Sequence, residues 1–222
     1  GDGFRLYDSS MLKAGTRIAV PSILQQSIVS IGMLLVQSVV NGFGSAALAG
    51  YSAGSRIESI CVVPMIATGN AVATFTAQNI GAGQIERVRK GLKAGVRMAL
   101  GVALPFFLLF FFLGNTMISM FMKEGGTTAM DIGVTFLKVV SPFYFVISLK
   151  LMADGVLRGA GDMVHFMIAT FTDLILRVIL AYVLASFMGT LGIWISWPIG
   201  WVVATVLSMG FYLSGKWNPL KE

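Results

Sequence analysis

The chain has 222 residues, of which 56% are hydrophobic and only 12% charged, and its mean hydropathy of +0.82 excludes an ordinary water-soluble domain. Its net charge of +6 does not point to nucleic acid, because the basic residues flank apolar stretches and no basic-aromatic module accompanies them. With one histidine, one cysteine and neither nucleophile-base nor metal-ligand spacing, no enzyme, metal site or cofactor is expected.

Long apolar stretches separated by short polar ones predict α-helical spans, since a barrel would show ten-residue alternation instead. An all-α polytopic membrane protein is expected, with six spans at 18–41, 46–78, 94–121, 127–157, 163–187 and 191–214. Residues 1–17 form an interfacial or cytoplasmic leader and 215–222 a cytoplasmic tail. The chain opens on Gly1-Asp2-Gly3 without the pattern of a signal peptide, which fits a piece of something longer.

In the first span, about 100° per residue gathers Ser22, Gln26, Ser30, Met33, Gln37 and Asn41 on about one third of the circumference. Leu24, Ile28, Ile31, Leu35 and Val39 fall opposite. The polar side faces either a chamber or a hydrogen-bonded neighbouring helix. The second span carries Arg56 and Glu58, and at ~1.5 Å per residue Glu58 lies about 20 Å from the start, near mid-bilayer. Charge there is costly and marks either a substrate or ion path, or a buried tie between helices. Arg56 shares a face with Ser52, Asn70 and Thr74, whereas Glu58 shares one with Tyr51 and Met65, so the two are not mutual partners. Each needs a partner from elsewhere unless Glu58 carries a proton. Pro64 leaves the Ile60 carbonyl without its usual bond and predicts a kink. Cys61 is expected to be a small packing residue.

Between the second and third spans, Arg87, Arg89, Lys90, Lys93 and Arg97 stand against Glu86 alone, a strong cytoplasmic marker. In the third span the run from Pro105 to Leu113 has no polar residue and is expected to face lipid. A turn at Lys123, Glu124, Gly125 and Gly126 leads to the fourth span. There Ser141, Tyr144 and Ser148 stack beside Pro142, as a second stripe facing the chamber. Lys138 and Lys150 lie on other faces, and Lys150 is expected to snorkel towards the inner surface. Arg158-Gly159-Ala160-Gly161-Asp162 makes a tight charged turn. In the fifth span Asp173 and Arg177 stand at i and i+4, the favourable order for an intrahelical structural ion pair, while His165 is alone. Trp194, Trp197 and Trp201 of the sixth span suggest an interfacial anchor. Arg5, Lys13, Arg17, the basic segment, Arg158, Lys216 and Lys221 fall on one side and Lys123 on the other, so both termini are expected in the cytoplasm, with the chain in the cell (inner) membrane.

Two motifs carry a resemblance. Gln78-Asn79-Ile80-Gly81-Ala82, directly before the basic segment, and the Arg158-Gly159-Ala160-Gly161-Asp162 turn resemble the multidrug and toxic compound extrusion (MATE) family. The resemblance covers the whole chain as the carboxy-terminal six-helix half of a twelve-helix transporter. It implies two pseudo-symmetric lobes, a cleft between them, and alternating access driven by sodium or protons to export amphipathic, often cationic compounds. The partners it implies are such a small molecule, the lipid bilayer, and an amino-terminal six-helix lobe or a second copy. Gln26, Ser30, Met33, Gln37, Asn41, Arg56, Tyr144 and Ser148 are the candidate cleft lining, and Glu58 is the candidate cation or proton site. One branch of the family carries a carboxylate on the first of these spans and an Asp where this chain has Ile147; residues 18–41 contain no Asp or Glu, so that branch's cation site does not transfer. Two alternatives are a flippase of lipid-linked oligosaccharides, whose pyrophosphate would require several basic residues, and a non-transporting assembly module.

Overall fold

The computed structural model describes residues 9–122 and 126–219. Arg5, the turn at Lys123, Glu124 and Gly125, and Lys221 lie outside the described residues, as do the side chains of Arg17 and Ser22. The helices are α1 (Ser9–Asn41), α2 (Ser45–Gly81), α3 (Ile85–Phe112), α4 (Gly114–Phe121), α5 (Gly126–Val140), α6 (Tyr144–Gly159), α7 (Met163–Met188) and α8 (Thr190–Ser214). Six stretches are long and apolar enough to cross a membrane: Ile23–Asn41, Ser45–Gly81, Ile85–Phe112, Gly126–Gly159, Met163–Met188 and Thr190–Ser214. No strand occurs among the described residues, as expected where lipid offers no partner to open backbone groups.

Several boundaries differ from the sequence expectation. The basic segment forms the opening turns of α3, which begins at Ile85 rather than at 94. The third span ends at Phe112 rather than 121, because Leu113 leaves helical geometry (φ −112°, ψ 22°) and Gly114 starts a separate short helix. The fourth span is two helices joined by a 3-10 turn at Ser141–Phe143, where Pro142 has no N–H to continue the α ladder. Pro64, by contrast, sits inside an unbroken α2. That helix has 37 residues, about 55 Å at 1.5 Å each, and therefore extends beyond a hydrocarbon layer of about 30 Å.

Turns of a few residues at Gly42–Gly44, 82–84 and 160–162 force successive helices to pack antiparallel. α2 is the hub, touching α1, α3, α4, α5 and α6, while α8 packs on α5, α6 and α7. α2 and α6 approach most closely where Gly155 and Gly159 face α2: a Cβ at Gly155 would lie 2.5 Å from the Gly69 carbonyl oxygen, and one at Gly159 would strike the Ala73 carbonyl. Small residues four apart let transmembrane backbones meet in this way.

The main core is aromatic. Tyr51 stacks on Trp194 with centroids 5.5 Å apart, and Phe136 meets the Trp194 ring edge-on at 5.1 Å. Trp194, Trp197 and Trp201 are 0%, 2% and 5% exposed, so they are not an interfacial anchor; Tyr51 of α2 and Phe136 of α5 pack on Trp194 and Trp197, and Tyr144 of α6 on Trp201. Cys61 is buried in the same core. The Pro105–Leu113 run is split: Leu108, Phe112 and Leu113 are exposed, but Phe110 is buried edge-on to Tyr144 at 6.0 Å. A second core joins Val88, Leu92, Met152, Val156 and Leu157 to Trp217. The segment after α8 thus folds back, with Trp217 stacked on Tyr212 and its indole N–H donating to the Tyr212 carbonyl at 2.8 Å.

Candidate functional site: a charged chamber within the helical lobe

An open chamber of about 430 Å³ lies among α1, α2, α6, α7 and α8. Its lining includes three acidic residues, Glu58, Asp154 and Asp173, and three basic ones, Lys150, Arg158 and Arg177. Each base has an oxygen partner. Arg177 Nη2 donates to both carboxylate oxygens of Asp173 at 2.9 Å, so the expected i, i+4 pair forms. It also faces a wall: the Arg177 guanidinium lies 5.0 Å from the Trp197 ring and 6.0 Å from that of Trp201, an arrangement in which the ring quadrupoles share the cation. Its Nη1 reaches Met33 Sδ at 3.8 Å on α1.

Lys150 does not snorkel. It is 5% exposed and bonds Asp154 Oδ2 at 2.5 Å, and Ser208 of α8 donates to Asp154 Oδ1 at 2.6 Å. A headgroup-level position is out of its reach once a carboxylate one turn away and a hydroxyl on α8 hold it in the bundle. Sequence reasoning missed Asp154, although the i, i+4 spacing to Lys150 was available as a signal. Arg158 reaches back 88 residues to Asn70 Oδ1 at 2.9 Å, with its guanidinium 5.3 Å from the Phe166 ring.

Glu58 is the exception. Its side chain lines the chamber, yet its Oε1 is buried and has no hydrogen-bond partner. Arg177, already shared with Asp173, exerts an attractive field on it. A buried carboxylate oxygen with an unused acceptor is the group in this lining best able to take a cation or a proton.

The other candidates distribute unevenly. Gln26 and Met33 line the chamber together with Gln25 and Val29. The face of α1 that meets the chamber is thus rotated from the predicted stripe. Ser30 is exposed with its hydroxyl donating to the Gln26 carbonyl at 2.9 Å, and Gln37 and Asn41 are exposed and outside the lining. Arg56 is exposed and also outside it. Tyr144 and Ser148 are fully buried rather than facing the chamber. The Ser148 hydroxyl returns to the Tyr144 carbonyl at 2.7 Å, and Tyr144 packs among Phe110 and Trp201. The turn after Pro142 rotates Ile147, Lys150 and Leu151 into the lining instead.

The motif residues stand at helix ends. Asn79 is buried and donates to the Phe75 carbonyl at 2.7 Å, its own carbonyl receiving Gln84 N–H, while Gln78, Gly81 and Ala82 are exposed around the turn. Gly159 packs on α2, and Gly161 turns the chain at φ 80°. Asp162 caps α7, its carboxylate accepting from His165 N–H at 3.4 Å and lying 2.7 Å from His165 Nδ1. His165 is therefore not alone; it also packs on Phe211, with centroids 4.3 Å apart.

Six helices long and apolar enough to cross a membrane, with a charged chamber among α1, α2, α6, α7 and α8, define the lobe of a polytopic membrane protein. The family model described as MatE matches residues 21–183. The chain belongs to that family, the MATE transporters. It is 27% identical over 92% of its length to a probable multidrug resistance protein, YpnP, of Bacillus subtilis, covering 46% of that protein. To the probable multidrug resistance protein NorM of Thermotoga maritima it is 26% identical over 91% of its length, covering 44%. Among solved structures, an outward-facing multidrug resistance MATE family transporter superposes with a TM-score of 0.86 at 21% identity, over 96% of this chain and 48% of that one. An inward-facing structure of the same description gives 0.83 at 20% identity, over 97% of this chain and 51% of that one. The chain thus spans about half the length of the relatives it matches.

Proposed function

We propose that this chain is the carboxy-terminal six-helix half of a cation-coupled antiporter that exports amphipathic, often cationic compounds, with sodium or protons as the coupling ion. The observation that carries the reading is the unpartnered, buried Glu58 oxygen in a chamber whose other charged side chains each have a hydrogen-bond partner. A carboxylate in such surroundings attracts cations and exchanges its proton as water enters or leaves. The second lobe would be an amino-terminal six-helix half or another copy. Similar lobe folds in neighbours described as outward-facing and inward-facing support a lobe that rocks as one body. The basic opening of α3 supports cytoplasmic termini in the inner membrane. No cofactor and no enzymatic step enter this reading. The lipid-linked oligosaccharide flippase is not favoured, since the chamber's basic residues are already engaged with Asp173, Asp154 and Asn70 and would have to release these partners to grip a pyrophosphate; nor is the assembly module, since the relatives matched are described as probable multidrug resistance proteins.

In the full-length protein, Glu58→Gln is expected to lower drug efflux by about tenfold or more while leaving the amount of folded protein in the membrane unchanged. Arg56→Ala, outside the lining, is expected to leave efflux within about twofold. Wild-type efflux by Glu58→Gln removes Glu58 from the mechanism.

A further inference from the structure

On the opposite side of α2 from the charged chamber, α2 and α3 enclose a second groove of about 620 Å³. Its walls are Ala67, Ala71 and Phe75 on α2 and Gly91, Ala94 and Met98 on α3. Thr68 also lines it but donates its hydroxyl to the Pro64 carbonyl at 2.9 Å, which leaves the Lys90 ammonium as the one uncommitted polar group of the lining.

The groove has a chemical direction. Phe75 stands about 9 Å and Ala67 about 21 Å from the end of α2 at Gly81, taking 1.5 Å per residue. At the shallow end the Arg87 guanidinium lies 5.8 Å from the Phe75 ring centroid, with Lys90 one turn further along α3. Glu86, the only acidic residue of the segment, is taken by Arg89 at 3.6 Å. Arg87, Lys90, Lys93 and Arg97 make no ion pair among the described residues. Of these, Arg87 and Lys90 stand towards the groove's shallow end, and the lining beyond them is apolar apart from the committed Thr68 hydroxyl.

We infer that this groove holds an anionic phospholipid, one acyl chain lying between α2 and α3 and the phosphate meeting Arg87 and Lys90. The order of groups matches that of a lipid standing in its own leaflet, and basic pockets between transmembrane helices select anionic headgroups over zwitterionic ones. Small side chains at Ala67, Ala71, Gly91 and Ala94 leave the width that a methylene chain fills. The inference is independent of the transport reading, because the groove shares no residue with the chamber.

The test is native mass spectrometry of the full-length protein in detergent with added phosphatidylglycerol or phosphatidylcholine, beside melting temperatures. Phosphatidylglycerol is expected to be retained about tenfold more strongly and to raise the melting temperature, and that preference is expected to vanish in the double variant Arg87→Glu/Lys90→Glu, both of whose sites are exposed. Ala94→Trp, which fills the groove without touching the charges, is expected to abolish retention as well; should it fail to fold, the charge variant alone decides. Equal retention of the two lipids, or undiminished phosphatidylglycerol binding in the charge variant, overturns the proposal. So does a photo-crosslinker at position 94 that captures another part of the protein in place of lipid.

Discussion

Asp154→Ala is expected to cost about 3–5 kcal/mol of stability, enough to leave most of the protein unfolded or degraded, because it strands a buried ammonium. Lys150 and Asp154 are 5% and 3% exposed, so little water reaches the ammonium to replace the lost carboxylate. The Ser208 hydroxyl, which now donates to Asp154, would lose its acceptor at the same time. The paired replacement Lys150→Met/Asp154→Leu is expected to recover most of the loss, since exchanging both members of a buried pair for apolar residues of similar volume is often neutral. Melting temperatures in one detergent decide the point, and Asp154→Ala melting with the wild type would contradict a buried pair. Asp173→Ala is expected to be milder, because Arg177 keeps the faces of Trp197 and Trp201.

The second large effect belongs to the contact between α2 and α6. Gly159→Val is expected to destabilise by about 3 kcal/mol or more, at the upper end of overpacking, since the neighbour that must give way is backbone. A Cβ there strikes the Ala73 carbonyl and comes within 2.8 Å of the Thr76 Cβ. Gly155→Val should behave alike, its Cβ lying 2.5 Å from the Gly69 carbonyl oxygen and 3.2 Å from the Val72 Cβ. As α2 also carries Glu58, prising the two helices apart is expected to lower transport even in protein that still folds. Gly101→Ala is the control: nothing lies within 4 Å of its Cβ, and it should be neutral or slightly stabilising from helix propensity. Thermal melting and the monodispersity of purified protein separate these outcomes. Equal melting of Gly159→Val and Gly101→Ala would rule out the close crossing.

Much of this protein was legible before any coordinates. Apolar length alone marks the spans, turns of a few residues make neighbours antiparallel, and the i, i+4 spacing of Asp173 and Arg177 supplies a partner whatever the tertiary fold. The Gln78–Ala82 and Arg158–Asp162 motifs, with their spacing across the six spans, carried the family. All of these are local properties, set by rise, period and turn length along one chain. What only the tertiary structure decided is which way each helix faces. In water an apolar face turns inward, but in a bilayer lipid and protein core are equally apolar, so hydrophobicity no longer distinguishes them. Hence Trp194, Trp197 and Trp201 had the pattern of an interfacial belt yet fill the core, and Tyr144 and Ser148 pack inside while Ile147 and Lys150 meet the chamber. Arg158 finds Asn70 across 88 residues of sequence, a pairing that no period along the chain could announce, because it depends on how closely Gly155 and Gly159 allow α6 to approach α2.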